Sequence, residues 1–192
     1  MNTKPKHLDL TEKELVKAAQ DGDSAAFRAI YDRYQEPIYN LIYYLLNDSL
    51  LVEDVLQNVF IKVYRALKTF RFEASLATWI YRIAVNECQN QNQRNNAQYV
   101  PLEAILGSDK ELDNNLLPDE QQTHSQRQEI IHQTIMTLPP KLRAAVVLKY
   151  LEDLNYAEIG AILECSPGTV ASRLNRALLQ LEERLKPFRR LL

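Results

Sequence analysis

Residues 156–176 read Tyr156-Ala157-Glu158-Ile159-Gly160-Ala161-Ile162-Leu163-Glu164-Cys165-Ser166-Pro167-Gly168-Thr169-Val170-Ala171-Ser172-Arg173-Leu174-Asn175-Arg176. Ile159, Ile162, Val170 and Leu174 mark the apolar faces of two short helices, with a break at Glu164-Cys165-Ser166. Ser166 then Pro167 is a helix start, because the serine oxygen accepts from free backbone donors and proline lacks the N–H that would otherwise be orphaned. Two short helices around a turn of about three or four residues have the proportions of a helix-turn-helix, whose second helix enters the major groove of DNA. Ser172, Arg173, Asn175 and Arg176 suit that work. Arginine pairs bidentately with guanine, asparagine with adenine, and a serine hydroxyl with either base or with phosphate. From Cys165 to Leu181 the chain carries two arginines and no acid. A helical hairpin with a solvated polar face fits the same spacing, so this segment alone leaves two readings open.

Upstream the helical period continues. A helix is expected from Gln126 to Thr137, a break at Pro139-Pro140, and a further helix over Lys141 to Leu151. At the other end, Thr11 with Glu14 is a capping box that opens a short helix running into Asp21-Gly22-Asp23. Phe27, Ile30, Tyr31, Tyr34, Ile38, Leu41, Ile42 and Leu45 then recur every three or four residues, and Pro37 among them predicts a kink or local break rather than a stop. Leu50 to Leu67 sets Val52, Val55, Leu56, Val59, Phe60 and Val63 on one face, with Glu53, Asp54, Gln57, Asn58 and Lys62 opposite. Lys68 to Ser75 breaks the period, and Ser75 caps a helix from Leu76 to about Gln93. No alternating strand pattern competes anywhere.

The fold class expected is all-α: two small helical domains joined by a flexible acidic linker, the second domain with a helix-turn-helix. The boundaries are 1–96 for the first domain, 97–125 for the linker and 126–192 for the second domain. The linker contains Pro101, Gly107 and Pro118 and lacks a sustained period.

Composition excludes several functions. Glycine occurs only four times, at Gly22, Gly107, Gly160 and Gly168, too far apart for a dinucleotide fingerprint or a P-loop. Cys88, Cys165, His7, His124 and His132 have no zinc-ligand spacing and make no disulfide scaffold, so neither metal nor other cofactor is expected. No nucleophile–base pair stands out, and an enzyme acting on a small molecule is not expected. A polar, charged start without a long apolar segment points to a soluble, cytoplasmic protein.

The net charge of −2 hides segregation. Residues 1–97 carry 12 Lys/Arg and 12 Asp/Glu, residues 98–128 carry 2 and 6, and residues 129–192 carry 9 and 7. Twelve of the 16 aromatics fall between Phe27 and Tyr81. Within that stretch Trp79, Arg82, Asn86 and Asn90 form one helical stripe beside a loop with Phe70 and Phe72. Aromatic rings stack unpaired bases and asparagines bond their edges. On pattern alone, core is the favoured reading for Trp79.

Three runs together resemble a known family: residues 53–67, Glu53-Asp54-Val55-Leu56-Gln57-Asn58-Val59-Phe60-Ile61-Lys62-Val63-Tyr64-Arg65-Ala66-Leu67; residues 78–86, Thr78-Trp79-Ile80-Tyr81-Arg82-Ile83-Ala84-Val85-Asn86; and residues 166–177, Ser166 to Ala177. In order and spacing they resemble the extracytoplasmic-function group of bacterial sigma factors, a small type with two domains and a linker. The resemblance implies an alternative sigma factor that directs core RNA polymerase to promoters, of a stress or envelope regulon. It implies that Asp54, Gln57 and Phe60 dock on the helical coiled coil of the polymerase clamp. Phe70, Trp79, Arg82, Asn86 and Asn90 would melt the minus-ten element and hold a flipped base of the non-template strand. Ser172, Arg173, Asn175 and Arg176 would read the duplex minus-thirty-five element. The acidic linker would lie in the path of the nascent RNA, and an anti-sigma factor would cover the docking faces, holding the protein at the membrane in the cytoplasm.

The chain departs from the family pattern in places. Ala171 stands where many relatives have Lys or Arg, Asn175 where a bulky residue is frequent, Glu164 where a turn glycine is common, and Asn58 in place of a Glu. The stretch after Asn90 is rich in Gln and Asn with only Arg94. A stand-alone helix-turn-helix regulator is the alternative. The absence of a basic excess argues against it, since duplex affinity scales with the phosphates neutralised, whereas a sigma factor borrows affinity from the polymerase.

Overall fold

The computed structural model describes residues 11–46, 48–98 and 120–188, and every regular element among them is helical. Helix α1 spans Glu12–Gln20, α2 Ser24–Leu45, α3 Val52–Leu67 and α4 Leu76–Gln98. After residue 119 come α5 (Glu120–Met136), α6 (Pro140–Tyr150), α7 (Tyr156–Ile162) and α8 (Pro167–Leu185).

Local signals set most of these ends. The Thr11 side chain accepts from the Glu14 N–H, and the Glu14 carboxylate accepts from the Thr11 N–H at 2.9 Å, which is the expected capping box. Gly22, at φ 98, turns the chain between α1 and α2. Asp23 then caps α2, accepting from Ala25 and Ala26. Pro140 occupies the first turn of α6, where its missing N–H leaves no gap.

Pro37 does not stop α2, as expected, and two helix boundaries are corrected. Helix α2 runs through Pro37 as one element. An internal proline disfavours a helix by about 3 kcal/mol, but Ile38, Leu41, Ile42 and Leu45 beyond it are all buried. Each such side chain contributes about 1.5–3 kcal/mol when covered, so packing outweighs the proline. Helix α4 extends to Gln98, past the expected end near Gln93, because its Gln/Asn run contains no breaker. Helix α5 starts at Glu120 rather than Gln126. The linker expected over 97–125 is thus helical at both edges, and residues 99–119 lie outside the described residues.

In the first domain α2, α3 and α4 pack around Ile30, Ile38, Val59, Val63, Ile80 and Ala84, with α1 against α2 and α3. In the second, α6, α7 and α8 pack around Ala145, Leu148, Ile159, Val170 and Leu174. The two domains touch directly: α4 lies on α7, and α2 on α5 and α6.

Candidate nucleic-acid interface

The helix-turn-helix has the geometry its sequence predicts. Ser166 caps α8 by accepting from the Thr169 N–H at 3.2 Å. A second capping box, missed in the sequence, opens α7: Asn155 accepts from Ala157 and Glu158, and Glu158 accepts from the Asn155 N–H at 2.9 Å. The signal was present as Asn155 with Glu158 three residues on. The turn closes with the Cys165 N–H on the Gly160 carbonyl at 2.9 Å and Glu164 at φ 51, a left-handed helix cap where glycine is preferred. Any larger residue than Gly160 would strain the turn, since an added Cβ would stand 2.6 Å from the Cys165 carbonyl oxygen.

Val170, Leu174 and Ala177 face the core, which turns Ser172, Asn175 and Arg176 to the surface with Arg173 half-buried beside them. The Ser172 hydroxyl donates to the Thr169 carbonyl, and Arg176 Nε to the Ser172 carbonyl at 3.3 Å. The four candidate residues therefore share one side of α8, with the arginine fork aimed along it.

The second candidate group is rearranged. Trp79, Arg82, Asn86 and Asn90 do form a stripe on α4, graded from half-buried Trp79 and Arg82 to exposed Asn86 and Asn90. Phe70 is only 8 % exposed, packed between Phe72 at 5.0 Å and Trp79 at 4.9 Å. Its ring has no open face for a base. Phe72, 37 % exposed and at φ 59, is the more exposed ring of the loop, with the Lys13 ammonium over it at 5.8 Å. Strict spacing does not distinguish the two phenylalanines; the left-handed backbone at Phe72 itself does.

The third candidate surface is a groove of about 1010 Å³ between α2 and α3. Asp54 and Gln57 stand exposed at its rim. Phe60 lies in its floor, 5 % exposed, tilted on Tyr31 at 4.6 Å. Tyr39, Ile61 and Tyr64 add exposed apolar surface that sequence reasoning missed. Gln57, Ile61 and Tyr64 follow one another at helical steps, which was the available signal. Lys62, expected on the solvent face, donates to the buried Glu87 carboxylate and ties α3 to α4.

Among the described residues no group of three or more His, Cys, Asp or Glu side chains is placed to hold a metal ion. No described helix is long and apolar enough to cross a membrane. Cys88 is buried, and burial pushes its thiol up to about 12.

Two family profiles match the chain, "Sigma-70 region 2" over residues 30–98 and "Sigma-70, region 4" over residues 128–181. The chain is similar to the ECF RNA polymerase sigma-E factor of Haemophilus influenzae, 37% identical over 188 residues, covering 93% of this chain and 97% of that one. It is similar to the ECF RNA polymerase sigma-E factor of Escherichia coli, 38% identical over 190 residues, covering 93% and 96%. Among solved structures its fold is similar to the sigma factor RpoE of Bartonella quintana in complex with the anti-sigma factor NepR. The TM-score is 0.66 at 21% identity, covering 83% of this chain and 96% of that one.

Proposed function

The chain belongs to the extracytoplasmic-function sigma factors of bacterial RNA polymerase, and we propose that its three surfaces divide the work of promoter recognition. The α2–α3 groove receives the helical coiled coil of the polymerase clamp. An apolar floor of Phe60 and Tyr31 under a polar rim of Asp54 and Gln57 suits a helix laid into a groove. The 68–75 loop and α4 open the minus-ten element: Phe72 offers a face to an unpaired base, while Arg82, Asn86 and Asn90 bond the non-template strand. Ser172, Arg173, Asn175 and Arg176 on α8 read the minus-thirty-five duplex in the major groove.

The observation that carries this division is the placement of two separate exposed polar sets. One lies on α4 beside the more exposed aromatic ring of the loop, and the other on the second helix of a helix-turn-helix. The match of residues 30–98 to Sigma-70 region 2 sets aside the stand-alone regulator, whose first domain would sense a ligand. The chain does no chemistry of its own in this reading; the polymerase supplies it. Its place of work is the cytoplasm, at promoters of a stress or envelope regulon. An anti-sigma factor covers the docking faces until the signal arrives.

In vitro transcription with purified core polymerase tests the proposal. The reconstituted holoenzyme should start RNA at a defined promoter class that core enzyme alone ignores. Failure to redirect core polymerase overturns it.

A further inference from the structure

Helix α1 precedes the segment matched to Sigma-70 region 2, yet its side chains grip both ends of the 68–75 loop. At the loop's entry the Gln20 amide Nε2 donates to the Leu67 carbonyl and to the Phe70 carbonyl, each at 2.9 Å. Leu67 is the last residue of α3, and its carbonyl also accepts from the Phe70 N–H at 3.0 Å, so the Gln20 amide joins a turn that already closes the loop's entry. At the exit, one Glu12 oxygen accepts from the Leu76 N–H at 3.4 Å, at the first residue of α4. The other Glu12 oxygen accepts from the Tyr34 hydroxyl at 2.7 Å, which ties the same carboxylate to α2.

The segment between these grips contains the residue that most needs holding. Phe72 sits at φ 59, a left-handed conformation that an L residue with a bulky side chain avoids unless its surroundings impose it. The Gln20 amide is bonded two residues before it, and a site whose conformation is set in advance loses less freedom when its ligand arrives.

We propose that Gln20 is a positioning residue of the base-capturing loop: with Glu12 at the far end, it presets the backbone that presents Phe72 to an unpaired base. This rests on the reading of that loop given under the proposed function.

The test measures binding of reconstituted holoenzyme to a fluorescent single-stranded minus-ten oligonucleotide of non-template sequence. Gln20→Glu keeps the shape of the side chain but turns an acceptor toward two carbonyls. It should weaken single-strand binding about tenfold, the loss of one to two ordinary hydrogen bonds. Gln20→Lys restores a donor and should recover most of the affinity. Affinity for core polymerase and for minus-thirty-five duplex should be unchanged in both. Full single-strand binding by Gln20→Glu overturns the proposal, as does a loss that lysine does not recover and that extends to core binding. Phe72→Ala is the control for the underlying reading: if it binds the oligonucleotide as well as the unaltered protein, base capture by this loop is itself wrong.

Discussion

The Tyr81 hydroxyl on α4 donates to the Glu152 carboxylate, which lies in the turn after α6, so one hydrogen bond joins the two domains. The His132 ring of α5 backs it, stacked on Tyr43 at 4.3 Å and edge-on to Tyr44 at 5.0 Å. With α4 on α7 and α7 on α8, the two helices proposed to contact DNA lie within two layers of packing. Adjacent helices pack about 8–10 Å apart. The minus-ten and minus-thirty-five elements lie about 25 base pairs apart by their names, or roughly 85 Å at the duplex rise of 3.4 Å per pair. On the proposed division of labour, the domains part at the promoter to span both. Tyr81→Phe should therefore widen the free protein. Energy transfer between dyes at exposed Lys17 and Glu182 should fall in the variant, and unchanged transfer would mean that the bond does not hold the domains.

Docking should also depend on pH. Burial raises the Glu152 carboxyl above the usual carboxylate range, partly opposed by the hydrogen bond from Tyr81. To the extent that docking supplies that burial, the docked state holds the proton more tightly than the parted one. Docking is strongest below the ordinary glutamate value of about 4.3 and weakens as pH rises through the window above it. The same dye pair should show transfer falling across that window, and Glu152→Gln, which cannot ionise, should remove this part of the dependence.

The turn of the helix-turn-helix should respond in opposite senses to two small changes. Gly160→Ala drives a Cβ to 2.6 Å from a backbone oxygen that cannot swing aside. Such overpacking costs about 1–3 kcal/mol. Glu164→Gly relieves the left-handed backbone at φ 51. The gain should be about 1 kcal/mol, measured with the first variant by urea unfolding of the whole chain. Two shifts of the same sign would contradict the close-packed turn.

Promoter opening and promoter docking should separate by mutation. Asn86→Ala should impair open-complex formation, read by permanganate reactivity, and Arg176→Ala should weaken the closed complex, read by duplex binding. Each lost base contact should cost about 1–3 kcal/mol. Equal effects on both steps would sink the division of labour.

The cysteines should differ in reactivity. Cys88 is 1 % exposed and its thiol is raised to about 12 by burial, with the Glu87 charge adding to it. At neutral pH it holds almost no thiolate, and the thiolate is the nucleophile. Iodoacetamide followed by mass spectrometry should mark Cys165, which is half-buried, and reach Cys88 only after unfolding.

What the sequence determined by itself is local. Thr11 with Glu14, Ser166 with Pro167 and the apolar steps of α2, α3 and α8 announce helices because each signal lies within a turn or two of the bond it predicts. The exposed face of Ser172, Asn175 and Arg176 was legible for the same reason: Val170, Leu174 and Ala177 can occupy only the other side of α8. The tertiary structure decided the rest. It buried Phe70 and left Phe72 more exposed, paired Lys62 with Glu87, brought Gln20 to the loop 47 and 50 residues downstream, and joined Tyr81 to Glu152 across 71 residues. Such pairings depend on how whole helices pack. No local period encodes them, because the partners become neighbours only when distant apolar faces have found each other.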